Sequence, residues 1–202
     1  MKKLFVLLAV SLLAASTMTL AAHSRHSRDQ DRERSDQEVQ VILAFDTMYA
    51  VDGPLLGETN AIRGIEGDEA PWRIDRFIKG RLFTNGRLQI LVRGLVFADD
   101  PLVPPDLVGK NDEDNFRGQV SCLTEDGTGG IVTTNVVTDG FKASTSGDAF
   151  IDGKVALPNP CIAPIVFVMA GSEDKWFAVT GFESEEDSGG DHGTGSHDHN
   201  GD

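Results

Sequence analysis

Residues 74–97 read IDRFIKGRLFTNGRLQILVRGLVF, and this stretch decides the fold class. Two apolar runs, residues 74–83 and 87–97, flank the dipeptide Asn85-Gly86. Asn-Gly between two such runs is the strongest short signal for a β-hairpin, because both residues tolerate positive φ. The stretch therefore predicts two antiparallel strands that are joined by a tight turn.

Period-two patterning continues through the rest of the middle of the chain. In residues 147–157, apolar Ala149 and Ile151 alternate with polar Asp148 and Asp152, which is typical of a half-buried strand. Residues 165–169 are apolar on both faces and predict a central or covered strand. Further strands are predicted at residues 39–45, 116–123, 131–137, 165–170 and 175–182.

Two local irregularities are also predicted, a bulge or bend at Gly80 and one short helical turn within residues 59–66. No window of the sequence carries a helical stripe. The expected fold is all-β, an antiparallel β-sandwich or open barrel of about seven to nine strands.

The two ends of the chain differ from the middle in composition. Residues 1–22 predict a cleaved secretory signal, because two lysines precede an apolar stretch that is too short to span a bilayer; an uncleaved anchor is the alternative. Residues 23–38 predict a disordered linker, and residues 184–202 a disordered acidic tail that contains histidine. The β-sandwich domain is expected over residues 39–183, in a protein that is secreted or periplasmic.

The formal net charge is −14, which argues against nucleic acid and anionic membrane surfaces as partners. Like charge on acidic faces also opposes self-association and favours a monomer. Beyond the signal, no apolar run approaches the roughly 20 residues of a transmembrane helix, so no membrane insertion is expected after its removal.

Cys122 and Cys161 are the two cysteines of the chain. In an exported protein an isolated pair is most economically a disulfide, and two reactive thiols are the alternative. The spacing is unlike Cys-x-x-Cys, so a redox enzyme has no support.

Histidine is missing from the predicted domain, since all five histidines lie at residues 23, 26, 192, 197 and 199. This excludes a Ser-His-Asp or Cys-His nucleophile system, a blue-copper site and a His-ligated zinc site from residues 39–183. Carboxylate catalysis is not excluded, because glycoside hydrolysis needs only two acids at the right separation.

Trp72 and Trp176 are expected to pack in the core, with an exposed sugar-stacking ring as the alternative.

Two segments offer metal ligands. Asn111, Asp112, Asp114 and Asn115 form a loop rich in the oxygen ligands that calcium prefers, although EF-hand spacing is absent. In the tail, imidazoles and carboxylates of the kind that bind zinc, copper or nickel weakly occur at Asp191, His192, His197, Asp198 and His199. A solvated loop and a solubilising tail are the respective alternatives, and no other cofactor is expected.

Six short motifs follow one another in a specific order along the chain: PWRI at 71–74, GRLQILVRGLV at 86–96, VSCL at 120–123, GDA at 147–149, LPNPCIAPIVFV at 157–168 and WFAVTG at 176–181. In these motifs the chain resembles an uncharacterised family of secreted bacterial single-domain β-rich proteins. The resemblance implies a β-rich domain with two recurring cysteines, and it transfers no activity. The Asp/Asn loop and the histidine tail depart from the family pattern.

The sequence thus leads to an exported, non-catalytic β-sandwich that binds or assembles at the cell exterior, with a cell-surface glycan or protein as its partner. One alternative is a carboxylate-based polysaccharide hydrolase. The other is weak transition-metal binding through the tail.

Overall fold

A computed structural model of the chain describes residues 38–181, which form eleven strands and a single 3₁₀ turn at Gly53–Leu55. The strands are β1 (Val41–Phe45), β2 (Tyr49–Ala50), β3 (Glu66–Gly67), β4 (Trp72–Phe83), β5 (Arg87–Phe97), β6 (Asn115–Glu125), β7 (Ile131–Val137), β8 (Phe141–Lys142), β9 (Ala149–Lys154), β10 (Ile162–Ala170) and β11 (Lys175–Val179). The all-β prediction is confirmed. No helix in this part of the chain has the length and apolar character needed to cross a membrane.

The strands form two sheets, as expected for a sandwich rather than a barrel. Sheet A has the order β1-β4-β5-β9, and sheet B has the order β2-β11-β10-β6-β7, with β3 on β11 and β8 on β6. All the strand pairs are antiparallel except β3 with β11. Strand β10 lies in the middle of sheet B, which confirms the prediction for the doubly apolar residues 165–169.

The β4–β5 hairpin closes with a different turn from the predicted one. The N–H of Gly86 donates to the carbonyl of Phe83 at 2.9 Å, and Gly86 has φ +81° while Asn85 keeps a negative φ. The loop therefore has three residues, with glycine in the left-handed position that such loops require.

The predicted bulge at Gly80 is wrong. Gly80 pairs regularly with Ile90, and the register shift of β4 falls between Ile74 and Phe77. Gly80 instead leaves space for the Phe45 ring, because a Cβ there would lie 2.6 Å from Cζ of Phe45.

The predicted helical turn within residues 59–66 is also wrong, since turns and an isolated bridge between Ile62 and Ile65 occupy this segment. The one helical turn of the described residues comes earlier, where Pro54 presets φ.

The core lies between the two sheets. Leu88, Ile90 and Ile151 project from sheet A and are fully buried. They approach Gly118 of β6 so closely that a Cβ at that position would lie 2.7 Å from Leu88 and 3.3 Å from Ile151. A side chain at residue 118 would therefore separate the sheets.

Residues 51–70 cover the other face of sheet B. Arg63 in this segment donates from Nη1 to the carbonyl of Ser121 at 3.1 Å, and the Asn135 amide donates to the carbonyl of Arg63 at 3.3 Å. Beneath the cover, Phe167 and Trp176 are fully buried. The central strands β10 and β11 of sheet B are therefore buried on both faces, whereas its edge strand β7 and the outer face of sheet A keep exposed side chains.

The disulfide between Cys122 and Cys161 is present, with 5.0 Å between the two Cα atoms. It joins β6 to the residue immediately before β10, so it connects two strands that also pair with each other. The sequence prediction of this bond is confirmed.

Candidate functional site

The outer face of sheet A brings exposed cationic and aromatic side chains together. On β4, Phe77, Lys79 and Arg81 are exposed and alternate with the buried Ile78 and Leu82. Successive side chains of a strand point to opposite faces, so one alternation builds both the core and this outer surface.

The strand register arranges these side chains in rows across the sheet. Two rows cross β4, β5 and β9: Lys79–Leu91–Phe150 and Arg81–Gln89–Asp152. Directly paired side chains on one face lie about 5 Å apart at Cβ, so each row is a continuous strip. Phe150 is 53% exposed and Phe77 is 40% exposed, which makes them the accessible rings of this face.

An open groove of about 580 Å³ lies over these rows. Its lining consists of Ala44, Phe45, Asp46, Lys79, Gly80, Arg81, Gln89, Leu91 and Phe150. Two cations, an amide and two aromatic residues line this space, and Asp46 at the β1 end is the single acid of the lining. Such a surface can hold an extended ligand that carries negative charge and apolar patches.

Positive charge is concentrated on this sheet although the chain as a whole is acidic. Seven of the twelve lysines and arginines between residues 39 and 183 lie on β4, β5 and β9: Arg73, Arg76, Lys79, Arg81, Arg87, Arg93 and Lys154. The same three strands contain two acids, Asp75 and Asp152. The local balance is therefore opposite to that of the whole chain.

Some of these cations already have partners. Arg87 binds Asp152 through two bonds, at 2.9 and 2.7 Å, and this hydrogen bonding lowers the pKa of Asp152. Asp148 accepts a hydrogen bond from Arg76 and lies 3.9 Å from Arg93. Burial raises the pKa of Asp148, but its bonds to Arg76 and to the Gly94 N–H outweigh this and lower it overall.

The two cations of the groove are available to a ligand. Within residues 38–181, neither Lys79 nor Arg81 forms an ion pair with a carboxylate. The Lys79 ammonium lies 5.2 Å from the ring centroid of Phe77, within the range of a cation–π contact. An anionic ligand can therefore approach both groups without displacing a salt bridge.

A separate acidic cluster lies between β3, the start of β4 and β11. Carboxylate oxygens of Asp68, Glu69 and Glu173 lie within 4.8 Å of one another, and no other trio of His, Cys, Asp or Glu side chains meets so closely in residues 38–181. Asp68 is 8% exposed, and burial raises its pKa to about 6.

The hydrogen bonds and ion pairs of this cluster connect β3, β4 and β11 to one another. Nε1 of Trp72 donates to Asp68 at 2.5 Å, and the N–H of Glu69 donates to the other carboxylate oxygen at 2.9 Å. The Lys175 ammonium lies 2.8 Å from both Glu66 and Glu69, and its hydrogen bond lowers the pKa of Glu69. Lys175 thus already pairs with Glu69 of the cluster, and both oxygens of Asp68 accept hydrogen bonds.

The predicted calcium loop has the side-chain amide of Asn111 committed to the fold. Asn111 is buried, and its Nδ2 donates to the carbonyls of Glu113 and Ser144 at 2.8 and 2.9 Å. Asn115 opens β6 opposite Lys142. The Asp112 and Asp114 carboxylates are exposed, and desolvation raises the pKa of Asp112, which disfavours the charged form that calcium binds. Calcium binding stays a prediction that this geometry does not support.

The residues of the tail that are predicted to bind transition metals lie outside the described residues: Asp191, His192, His197, Asp198 and His199.

The two tryptophans are both buried, which confirms the prediction that they pack in the core. The indole N–H of Trp176 is buried without a hydrogen-bond partner, whereas that of Trp72 has Asp68.

The groove was not predicted from the sequence. Its signal is present, because Phe77, Lys79 and Arg81 alternate with apolar residues in the same way as the core residues do. That pattern identifies an outer face but does not show that β9 adds Phe150 to it, since strand order is not visible in one strand.

No protein-family model matches the sequence, and neither the curated proteins nor the solved structures contain a match to it. The resemblance to secreted bacterial β-rich proteins therefore stays a prediction.

Proposed function

We propose that the protein is an exported, non-catalytic binding protein that holds an acidic polysaccharide on the outer face of sheet A. The observation that carries the proposal is the groove that the cations Lys79 and Arg81, which have no carboxylate partner within residues 38–181, line together with the exposed ring of Phe150. Uronate carboxylates accept charge-assisted hydrogen bonds from such groups, and the apolar faces of sugar rings pack on aromatic side chains.

Two features favour a glycan over other polyanions. Gln89 adds an amide that can donate to and accept from sugar hydroxyls. The predicted signal and the disulfide are typical of export to an oxidising compartment, where cell-surface glycans are found.

Titration calorimetry with hexagalacturonate tests this function, with maltohexaose as the neutral control. We expect binding of the uronate oligomer that weakens as the salt concentration rises, and no binding of the neutral one. The double variant Lys79→Gln, Arg81→Gln should lose affinity by about tenfold or more, because two charge-assisted contacts are lost. Lys142→Gln, an exposed cation of β8 outside the groove, should bind normally. Equal losses in both variants would refute the assignment to this groove.

The two alternatives can be measured with the same materials. A carboxylate-based hydrolase would release new reducing ends from the oligosaccharides, whereas a non-catalytic binding protein would release none. Metal binding through the tail would give a heat of zinc or copper binding that disappears when His192, His197 and His199 are replaced by alanine.

A further inference from the structure

Strand β7 forms one edge of sheet B and leaves a row of its backbone groups facing outward. It pairs with β6 over seven consecutive residues without a register shift. At its two ends, the N–H of Thr138 donates to the carbonyl of Gly118 at 2.9 Å, and the N–H of Asp126 donates to the carbonyl of Gly130 at 3.0 Å. In an antiparallel pair, hydrogen-bonded and non-hydrogen-bonded positions alternate, so the even-numbered residues of β7 bond to β6. The outward N–H and C=O groups are therefore those of the odd-numbered residues: Ile131, Thr133, Asn135 and Val137.

These outward groups make no hydrogen bond within residues 38–181. Sheet edges in stable proteins are shortened, bulged or charged, because an open edge is a template for another strand. Strand β2 has two residues, and β1 has a register shift between Val41 and Leu43. Strand β9 contains Asp152 and Lys154, and its first residue is bridged to residue 143. Among the sheet edges of the described residues, β7 is the one without such protection.

The composition of β7 favours the addition of a strand. It reads IVTTNVV, which has no charged residue, no proline and no glycine. Six of its seven residues are β-branched, the class that packs best on a pleated surface. Ile131, Val132 and Val137 are 58%, 41% and 44% exposed, so apolar side chains accompany the free backbone groups.

The strand is complementary to itself in one antiparallel register. A twofold axis at Thr134 sets Ile131 of one copy opposite Val137 of the other, and Thr133 opposite Asn135. All four are outward-facing residues, so each pair exchanges two hydrogen bonds and every free backbone group of both strands is satisfied. The same register places the exposed Ile131 and Val137 side chains in contact, and no charge faces a like charge along the strand.

We propose that the protein forms a twofold dimer in which β7 of one copy pairs with β7 of a second copy, so that sheet B continues across both. A second copy is the occupant because the edge complements itself in backbone hydrogen bonds and in apolar cross-strand pairs. The twofold pairing uses both edges, so the assembly closes at two chains instead of growing into a fibre.

The acidic net charge does not oppose this contact directly. A charge of −14 favours a monomer, but it is spread over the whole surface, and β7 itself is uncharged. Added salt should therefore strengthen the association, since it screens the repulsion between two acidic copies. The interface is a single pair of strands, so the dimer is weak and its population depends on concentration.

The first test places charges at the facing positions 133 and 135 of the full chain. One variant combines Thr133→Lys with Asn135→Lys, and the other combines Thr133→Glu with Asn135→Glu. Each variant alone should be monomeric in sedimentation velocity at concentrations where the natural chain dimerises, because like charges then lie opposite each other. An equimolar mixture of the two should dimerise, because each lysine then faces a glutamate.

The mixture also controls for damage to the fold. Both variants lose the hydrogen bond from the Asn135 amide to the carbonyl of Arg63, so a merely structural effect would not be reversed by mixing. Thr59→Lys with Thr145→Lys, two exposed positions outside β7, should dimerise as the natural chain does. The proposal is refuted by a natural chain that stays monomeric up to high micromolar concentration, by variants that dimerise alone, or by a mixture that stays monomeric.

The second test follows amide hydrogen exchange residue by residue with NMR. The outward N–H groups of Ile131, Thr133, Asn135 and Val137 should exchange about tenfold more slowly when nine-tenths of the chains are dimeric, because exchange then occurs from the free tenth. In the Thr133→Lys, Asn135→Lys variant, the N–H groups of the same four positions should not respond to concentration.

Two exchange results would contradict the proposal. Outward amides whose exchange is unchanged while the natural chain dimerises would place the contact on another surface. Outward amides that are protected even in the dilute monomer would mean that the edge is covered within one chain. Neither experiment uses a glycan, so failure of the dimer and failure of the proposed function are observed separately.

Discussion

At the scale of single residues, Asp68 shows how burial and hydrogen bonding compete over one carboxyl group. The sequence predicts that Trp72 packs in the core, but the four-residue spacing does not reveal that its N–H meets Asp68. That contact depends on the parallel pairing of β3 with β11, which no local sequence pattern predicts. The partners of Lys175 depend on the same pairing, so the sequence does not predict them either.

The raised pKa of Asp68, about 6 against an ordinary 3.8, predicts a pH-dependent stability. The native state binds this proton more tightly than the unfolded state, so the contribution is complete below about pH 4 and is lost as pH rises through about 6. It amounts to at most about 3 kcal/mol. Asp68→Asn removes this dependence. In urea unfolding at pH 4 and pH 7, the stability of the natural chain relative to Asp68→Asn should therefore decrease as pH rises.

Asp106→Asn is the control, because this exposed carboxylate makes no side-chain bond within residues 38–181. Its stability should follow that of the natural chain at both pH values. A constant difference between the natural chain and Asp68→Asn across this pH range would contradict the assignment of the titration to Asp68.

At the scale of elements, eight of the eleven strands correspond to predicted segments, because each is long enough to show either a period of two or, as in β10, a continuous apolar run. The other three, β2, β3 and β8, have two residues each, and no period can appear in two residues. The bulge predicted at Gly80 is wrong because the sequence does not show which of the two glycines, Gly80 or Gly94, lies at the irregularity. It is Gly94 that has a positive φ, and it lies against Asp75 at the register shift.

Gly86→Ala should destabilise the β4–β5 hairpin strongly. Gly86 has φ +81°, and a Cβ there would lie 2.0 Å from the carbonyl oxygen of Val155. We expect a loss of about 3 kcal/mol or more in urea unfolding, from backbone strain together with a steric clash. Gly127→Ala is the matched control, since Gly127 has φ +78° and nothing within 4 Å of its Cβ position. That variant should lose only about 1 kcal/mol; equal losses would show that the clash with Val155 is relieved.

At the scale of the whole molecule, net charge conceals the distribution of charge. A value of −14 excludes a polyanion from most of the surface, but it says nothing about a single face on which cations outnumber acids. Composition therefore predicted the acidic character of the chain and missed the groove. The fold was accessible from local patterning, whereas the groove required the strand order of sheet A.

The disulfide should contribute a large part of the stability of the whole chain. It encloses a loop of 38 residues, for which the chain-entropy estimate is about 4 kcal/mol. Cys122→Ala with Cys161→Ala should lower the free energy of urea unfolding by about this amount, and reduction of the natural chain should do the same. An unchanged unfolding midpoint in both experiments would show that the loop is already constrained when the bond is absent.

The pairing of β2 with β11 has a consequence for the timing of folding. Strand β2, near residue 50, pairs with β11, near residue 178. This edge of sheet B therefore cannot form until almost all of the described chain has been synthesised. Sheet A can be assembled earlier, since its last strand ends at Lys154. Sheet B therefore depends on contacts that are distant in sequence, and such contacts slow folding because the loop between them must close first.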